Sequence, residues 1–288
     1  MSERLLSVVS TDWLATQLGR PGLRVLDGSW YLPGSGRDPT VEYAEGHIPG
    51  AVFFDLDAIS DRTSPLPHML PPADDFAASM AALGLSDSDD LVVYDGSGVN
   101  LSAPRVWWTF RAFGHERIAV LDGGLGKWRR EHRQLEQGVV QLPPGRFTAR
   151  LNPLMVRSLA AVRANLDSRA EQLVDTRPPG RFAGNEPEPR PGLRGGHVPG
   201  SLNLPFSDLV GTDGTILPTG QLRRRIAEAG IDLSRPIVAL CGSGTSACAL
   251  VLSLDLIGYR NAAVYDGAWA EWGSRPDTPI TKEATLKE

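Results

Sequence analysis

Val238-Ala239-Leu240-Cys241-Gly242-Ser243-Gly244 has a near copy in the other half of the chain, Val92-Val93-Tyr94-Asp95-Gly96-Ser97-Gly98. Each is an apolar run of strand type that turns through Gly-Ser-Gly. Each leads into a helical stretch, which carries Val106, Trp107, Phe110 and Phe113 in the first half and Leu250, Leu252, Leu254 and Leu256 in the second. Two more blocks repeat in the same order. Gly46-His47-Ile48-Pro49-Gly50-Ala51 returns as Gly196-His197-Val198-Pro199-Gly200-Ser201. Val120-Leu121-Asp122-Gly123-Gly124 with Trp128 returns as Val264-Tyr265-Asp266-Gly267-Ala268 with Trp272. Matched blocks at nearly matched intervals mean two domains of one fold rather than a solenoid.

Around these blocks, short strands alternate with helices. Ser10 or Thr11 is expected to cap a helix carrying Trp13, Leu14 and Leu18, and Ser158 one carrying Leu159, Val162 and Leu166. The runs Leu23–Leu26, Leu91–Tyr94 and Ala119–Leu121 read as buried strands, as do Leu173–Val174, Ile237–Leu240 and Ala263–Tyr265. Continuous apolar strands between helices give an α/β class: two tandem domains, each a mostly parallel sheet with helices on both faces. Pro143, Pro144, Gly145 and Pro153 break all periodicity between them. The expected division is therefore a first domain over 1–140, a linker over 141–155 and a second domain over 156–288.

The 288 residues suffice for two cores, and 41% hydrophobic with 22% charged residues is ordinary for a soluble globular protein. A formal net charge of -5 provides no basic field for nucleic acid. The apolar runs are too short to span a bilayer. The opening Met-Ser-Glu-Arg and the brief apolar stretch after it are too short for a secretory leader. With Cys241 and Cys248 as the only cysteines, a disulfide framework is excluded, and so is a zinc site of paired Cys/His type. A reducing compartment fits, and the cytoplasm is the expected location.

Cys241 ends a buried strand and opens a glycine-rich turn into a helix. Ligands in open parallel sheets gather at the carboxyl ends of strands. Glycines let several backbone N–H groups point at one atom, and the helix start adds partial positive charge. That setting stabilises a thiolate or a persulfide anion without a lysine or a metal. Asp95 occupies the same position in the first half and cannot form a persulfide, so the position is no generic core slot. Cys248, inside the apolar helix, reads as structural. His47 and His197 occur once per half and read as structural too.

The paired Gly-His-Ile/Val-Pro-Gly blocks, the Cys-Gly-Ser-Gly loop and Tyr265-Asp266-Gly267-Ala268-Trp269 resemble the tandem-domain rhodanese family of sulfurtransferases. So do Ser29-Trp30-Tyr31-Leu32-Pro33, Phe53-Phe54-Asp55-Leu56-Asp57, Ser102-Ala103-Pro104-Arg105 and Glu186-Pro187-Glu188-Pro189-Arg190. The likeness runs from about Leu23 to Trp272. It implies that Cys241 takes sulfur from 3-mercaptopyruvate, an α-keto acid bearing a thiol, and releases pyruvate. The acceptor implied is a thiol such as thioredoxin or a small dithiol, or cyanide in an assay. Arg181 and Arg190 match the family's substrate arginines, whose planar forks suit a carboxylate; Arg177 and Arg194 are reserves in the same loop. Ser243 matches a family serine with His68 and Asp57 as its partners, a Ser/His/Asp relay for proton traffic. Asp57 and His68 lie in the first half and Ser243 in the second, so a site in the cleft between halves is implied. Gly242, Gly244, Thr245 and Ser246 complete the substrate loop. No metal or organic cofactor is implied.

The family's mercaptopyruvate loop usually reads Cys-Gly-Ser-Gly-Val-Thr-Ala, whereas here Thr245-Ser246 stand for Val-Thr, which adds a hydroxyl. Thiosulfate is the alternative donor. It is a dianion that favours Arg or Lys within the loop, and this loop has neither. A cysteine phosphatase would need an arginine closing the loop, where Ala247 and Cys248 stand. A sulfur carrier without donor turnover is the alternative of another class.

Overall fold

A computed structural model of the chain describes residues 5–283. The Met-Ser-Glu-Arg stretch weighed above lies outside them. The chain forms two compact units. The first gathers the residues up to Thr63, Leu70–Asn152 and Val210–Ile216; the second gathers Ser64–Met69, Pro153–Leu209 and the residues from Leu217 on.

In the first unit the strands are β1 (Val8–Val9), β2 (Leu23–Asp27), β3 (Ala51–Phe53), β4 (Asp90–Tyr94) and β5 (Ile118–Leu121). They form a parallel sheet in the order β1-β5-β4-β2-β3. Its helices are α1 (Thr11–Gln17), α2 (Pro39–Glu45), α3 (Leu56–Ile59), α4 (Ala73–Ala82), α5 (Ala103–Ala112) and α6 (Gly124–Arg130). In the second unit β6 (Val156–Arg157), β7 (Gln172–Asp175), β8 (Leu202–Asn203), β9 (Ile237–Leu240) and β10 (Ala262–Tyr265) repeat the pattern in the order β6-β10-β9-β7-β8. Again every pairing is parallel. The second unit's helices are α7 (Leu159–Ser168), α8 (Pro179–Ala183), α9 (Thr219–Glu228), α10 (Ala247–Leu256) and α11 (Ala268–Ser274).

The expected strands are all present, and the expected caps close their helices. Ser10 accepts from the Trp13 amide at 3.1 Å and Ser158 from the Ala161 amide at 3.3 Å. Strands β1, β3, β6 and β8 went unread in the sequence because they are two or three residues long, too short for a periodic signal. Residues 141–152 form neither helix nor strand. They are not a free tether: Arg150 N donates to Phe113 O, Asn152 N to Ala112 O and Thr148 N to the Asp87 carboxylate.

One sheet face of the second unit buries Val162, Leu173, Val198, Val238, Leu240, Trp269 and Trp272. That burial of apolar area provides the main stabilisation of the unit. In the first unit Val25, Val92, Ala119 and Trp128 do the same. There Phe76, Phe110, Phe113 and Phe147 form a second aromatic layer, which His115 joins at 5.4 Å from Phe147. Among the described residues no helix is long and apolar enough to cross a membrane.

Burial holds the His115 pKa below the ordinary histidine value of 6.5. The unfolded chain therefore takes up this proton before the folded one, so the associated stability is present above pH 6.5 and is lost as pH falls toward the folded-state value. Urea titrations from about pH 7 down to about pH 5 should show stability falling, and His115→Gln should flatten that slope. Parallel slopes in the two proteins would rule His115 out as the source.

Candidate active site

The strand order of the second unit switches at β7: the chain leaves β7 to build β8 on one side and returns as β9 on the other. A crevice opens beyond the carboxyl ends of strands at such a point. The residues following β7 and β9 are Thr176-Arg177 and Cys241-Gly242. Thr176 N donates to Leu240 O at 2.9 Å, and Thr176 Oγ1 lies 3.2 Å from Ser246 Oγ.

Cys241 is 2% exposed. Its carbonyl accepts from Trp269 N at 2.8 Å, and the Gly242 carbonyl accepts from Ala270 N at 2.9 Å, so the start of α11 fixes the strand end. Gly244 takes a left-handed φ of +75°, which glycine adopts without steric penalty, and this turns the chain into α10. Ser246, at the N-cap of α10, makes no side-chain cap to the helix. In that first turn Cys248 N donates to Thr245 O at 3.2 Å and Ala249 N to Ser246 O at 3.1 Å, and the positive end of the helix dipole faces the loop. Cys248 Sγ donates to Gly244 O at 3.2 Å and is fully buried, which suits the structural role read from the sequence.

The twin loop in the first unit holds an acidic side chain. Asp95 Oδ1 accepts from Ser97 N at 2.9 Å and from Ser97 Oγ. Its Oδ2 accepts from Ser102 N at 2.9 Å and Ala103 N at 2.8 Å, at the start of α5. This strand–loop–helix turn therefore gathers four donors on one group at the position that corresponds to the Cys241 side chain.

A run of side chains leads away from the Cys241 loop. Ser243 Oγ lies 3.4 Å from Thr245 Oγ1, and Thr245 Oγ1 lies 3.1 Å from His68 Nδ1. All three residues are buried. The sequence paired Ser243 with His68; the structure places the Thr245 hydroxyl next to both. His68 has a φ of +60°, unusual for a residue with a side chain. Counting back from the prolines that precede α4 and α9, Pro72 and Pro218, its counterpart is Gly214, at φ +78°. A left-handed side-chain residue where the repeat has glycine is stored strain of about 1 kcal/mol or more, of the kind that clusters at functional sites. Asp57 belongs to α3 of the first unit, where its Oδ2 accepts from Trp30 Nε1 at 3.1 Å.

The arginines divide into two kinds. Arg177, 1% exposed, donates to the Asp175 carboxylate at 2.7 Å, to Glu188 at 2.6 Å and to Gly196 O at 2.7 Å. Its guanidinium also lies 4.1 Å from the centre of a Trp269 ring. Burial works against its charge, but Asp175 and Glu188 outweigh it and raise the pKa. Arg194 donates to the carbonyls of Trp272, Gly273 and Thr278 around the end of α11. Both reserves are thus committed to structure. Arg181, on α8, is 21% exposed and lies 3.7 Å from Glu188. Arg190 is half-buried in the loop that follows. His47 and His197 each hold a backbone carbonyl, of Tyr43 at 2.8 Å and of Phe182 at 2.9 Å, and each stacks on the ring of that residue.

The model of the rhodanese-like domain family matches residues 10–131 and 158–275. The chain is 46% identical over 283 residues to a human 3-mercaptopyruvate sulfurtransferase, covering 96% of this chain and 95% of that one. It is 43% identical over 294 residues to the Arabidopsis thaliana mitochondrial thiosulfate/3-mercaptopyruvate sulfurtransferase 1, covering 95% and 77%. The crystal structure of SseA from Escherichia coli, one of the 3-mercaptopyruvate sulfotransferases, superposes with a TM-score of 0.84 at 41% identity, covering 92% of this chain and 99% of that one.

Removing the Arg177 charge leaves Asp175 and Glu188 buried without their partner. Arg177→Gln is expected to cost about 3–5 kcal/mol in denaturant unfolding. A loss below about 1 kcal/mol, the scale of an exposed pair, would show that the network does not anchor the unit.

Proposed function

The chain belongs to the rhodanese family, and from that premise we propose that it is a sulfurtransferase that takes sulfur from 3-mercaptopyruvate on Cys241 and passes it to a thiol. The observation that carries the reading is the loop from Cys241 to Ala247 at the switch point of the sheet, whose twin holds the Asp95 carboxyl with four donors. A persulfide on Cys241 is an anion in the corresponding place, with the loop amides of Gly242, Gly244, Thr245 and Ser246 around it.

The Cys241 thiolate attacks the sulfur of the donor. An S–S bond forms as the C–S bond breaks, and the electron pair stays on carbon as the enolate of pyruvate. The proton of the donor thiol ends on that carbon. The relay of Ser243, His68 and Asp57 that the family resemblance implies carries this proton from sulfur to carbon, which is general acid–base work. Arg181 and Arg190 hold the carboxylate and the ketone of the donor. An acceptor thiolate, on thioredoxin or a small dithiol, then attacks the outer sulfur and returns Cys241 as thiolate. Cyanide does the same in an assay and leaves as thiocyanate. Two half-reactions through one covalent intermediate give ping-pong kinetics.

The domain division follows: the first half, with Asp95 at the nucleophile position, forms no persulfide, and the second performs the covalent step. Two free, buried thiols suit a reducing compartment, and the cytoplasm is the proposed location. Thiosulfate remains the second donor, since the Arabidopsis relative is named for both. The absence of Arg and Lys between Cys241 and Ala247 favours the monoanion.

Initial rates with 3-mercaptopyruvate and with thiosulfate, using one acceptor, test the reading. Mercaptopyruvate should be preferred, and Cys241→Ser should abolish turnover of both. Arg181→Ala and Arg190→Ala should each lower kcat/KM for mercaptopyruvate about tenfold to a hundredfold, the scale of a lost charged hydrogen bond. A thiosulfate preference would overturn the donor assignment; persulfide formation in a single turnover without multiple turnover would make the chain a carrier.

A further inference from the structure

The two halves fasten their loops in the same place by different means. The first loop runs Asp95-Gly96-Ser97-Gly98 and then Val99-Asn100-Leu101 before Ser102-Ala103; the second runs Cys241-Gly242-Ser243-Gly244 and then Thr245 alone before Ser246-Ala247. In the first unit Asn100 Nδ2 donates to the carbonyl of Gly214 at 3.0 Å. In the second unit Thr245 Oγ1 lies 3.1 Å from the ring nitrogen Nδ1 of His68, the counterpart of Gly214. A backbone tie that cannot titrate is replaced in the second unit by a hydroxyl on an imidazole. The same hydroxyl lies 3.4 Å from Ser243 Oγ.

We infer that Thr245 is a positioning residue for His68, and that the proton path between Ser243 and His68 runs through its hydroxyl. The inference rests on the relay reading of Ser243 and His68 given above. A threonine hydroxyl can accept one hydrogen bond while it donates another. When Thr245 donates to His68 Nδ1, the neutral ring carries its proton on Nε2, and Ser243 in turn donates to Thr245. A proton arriving from the donor thiol at Ser243 Oγ displaces the Ser243 proton to Thr245 and the Thr245 proton to His68 Nδ1. Both hydroxyls end as they began, and the ring becomes imidazolium. Reversal of these steps delivers one proton to the enolate carbon of pyruvate, so the cycle balances. A valine at this position, as the related loops usually carry, would fill the same space without a hydroxyl. The mutual positions of Ser243 and His68 here thus depend on the added oxygen.

The test uses Thr245→Val, which removes the hydroxyl at nearly constant volume, and Thr245→Ser, which keeps it. Assays with 3-mercaptopyruvate should show kcat about tenfold or more lower in Thr245→Val with KM within about twofold, since acid–base assistance is worth about a hundredfold or more when intact. The kcat/KM pH profile of Thr245→Val should lose or shift the limb that reports His68, and Thr245→Ser should restore both rate and profile. His68→Asn, chosen because asparagine tolerates a positive φ, should lower kcat by itself. Thr245→Val added to His68→Asn should then change little, as expected of two groups acting as one unit. Loss of rate in His68→Asn with a normal rate and pH profile in Thr245→Val would overturn the Thr245 assignment and leave the relay standing. A normal rate in His68→Asn would overturn the relay and this inference with it. Equal losses in Thr245→Val and Thr245→Ser, with an unmoved pH profile, would assign Thr245 to packing alone.

Discussion

Arg177 carries its charge into the interior of the second unit, and the surroundings of Cys241 are tied to it. The guanidinium joins Asp175 at the end of β7, Glu188 in the arginine loop and the carbonyl of Gly196 at the His197 turn. It also stacks on Trp269, whose amide holds the carbonyl of Cys241. One side chain thereby links the segment that follows β9 to the loop that carries Glu188. A buried ion of this kind is weak evidence for net stability, because desolvation offsets its attractions. Its contribution is geometric: the end of β7, the start of α11 and two loop segments meet at one fixed point.

The same network decides which arginine is available. Glu188 is held at 2.6 Å by Arg177 and at only 3.7 Å by Arg181. The carboxylate is therefore satisfied mainly by the buried cation, and the exposed one keeps most of its donors for an anion from solution. With Glu188 committed to Arg181 instead, an incoming carboxylate would have to displace it. Burying one cation to neutralise the loop carboxylate leaves the second cation free to act.

The repeat made the fold legible from the sequence. Matched apolar runs gave the six longer strands with their edges within a residue or so, and Ser10 and Ser158 gave two helix starts. The two- and three-residue strands were invisible because pairing with a neighbour, rather than their own pattern, makes them strands. Cys241 stood out in the sequence because the repeat has Asp95 at its position. The role of Arg177 was not: in sequence it is one arginine among several in a loop, and burial and its two carboxylates distinguish it only in three dimensions. The Thr245–His68 contact was hidden for another reason. The residues lie far apart in the chain, and the assignment of Ser243 to His68 came from resemblance rather than from this loop, which carries a hydroxyl where related loops carry valine.

The comparison of halves also bears on how a loop of this type becomes reactive. In the first unit the donors of the loop and helix start are satisfied internally by the Asp95 carboxyl, and the loop is closed by a bond from Asn100 to backbone. The Asp95 carboxyl in that arrangement has four built-in donors. In the second unit the side chain at the same position is a thiol, a far weaker acceptor than a carboxylate. There the helix start is closed by backbone instead, Cys248 N on Thr245 O and Ala249 N on Ser246 O. The segment that closes the loop adopts a left-handed turn with a histidine where glycine would relax it. The left-handed histidine gives up local stability, about 1 kcal/mol or more of backbone strain. Packing does not explain it, since the first unit packs the same fold with a glycine, Gly214, at that position.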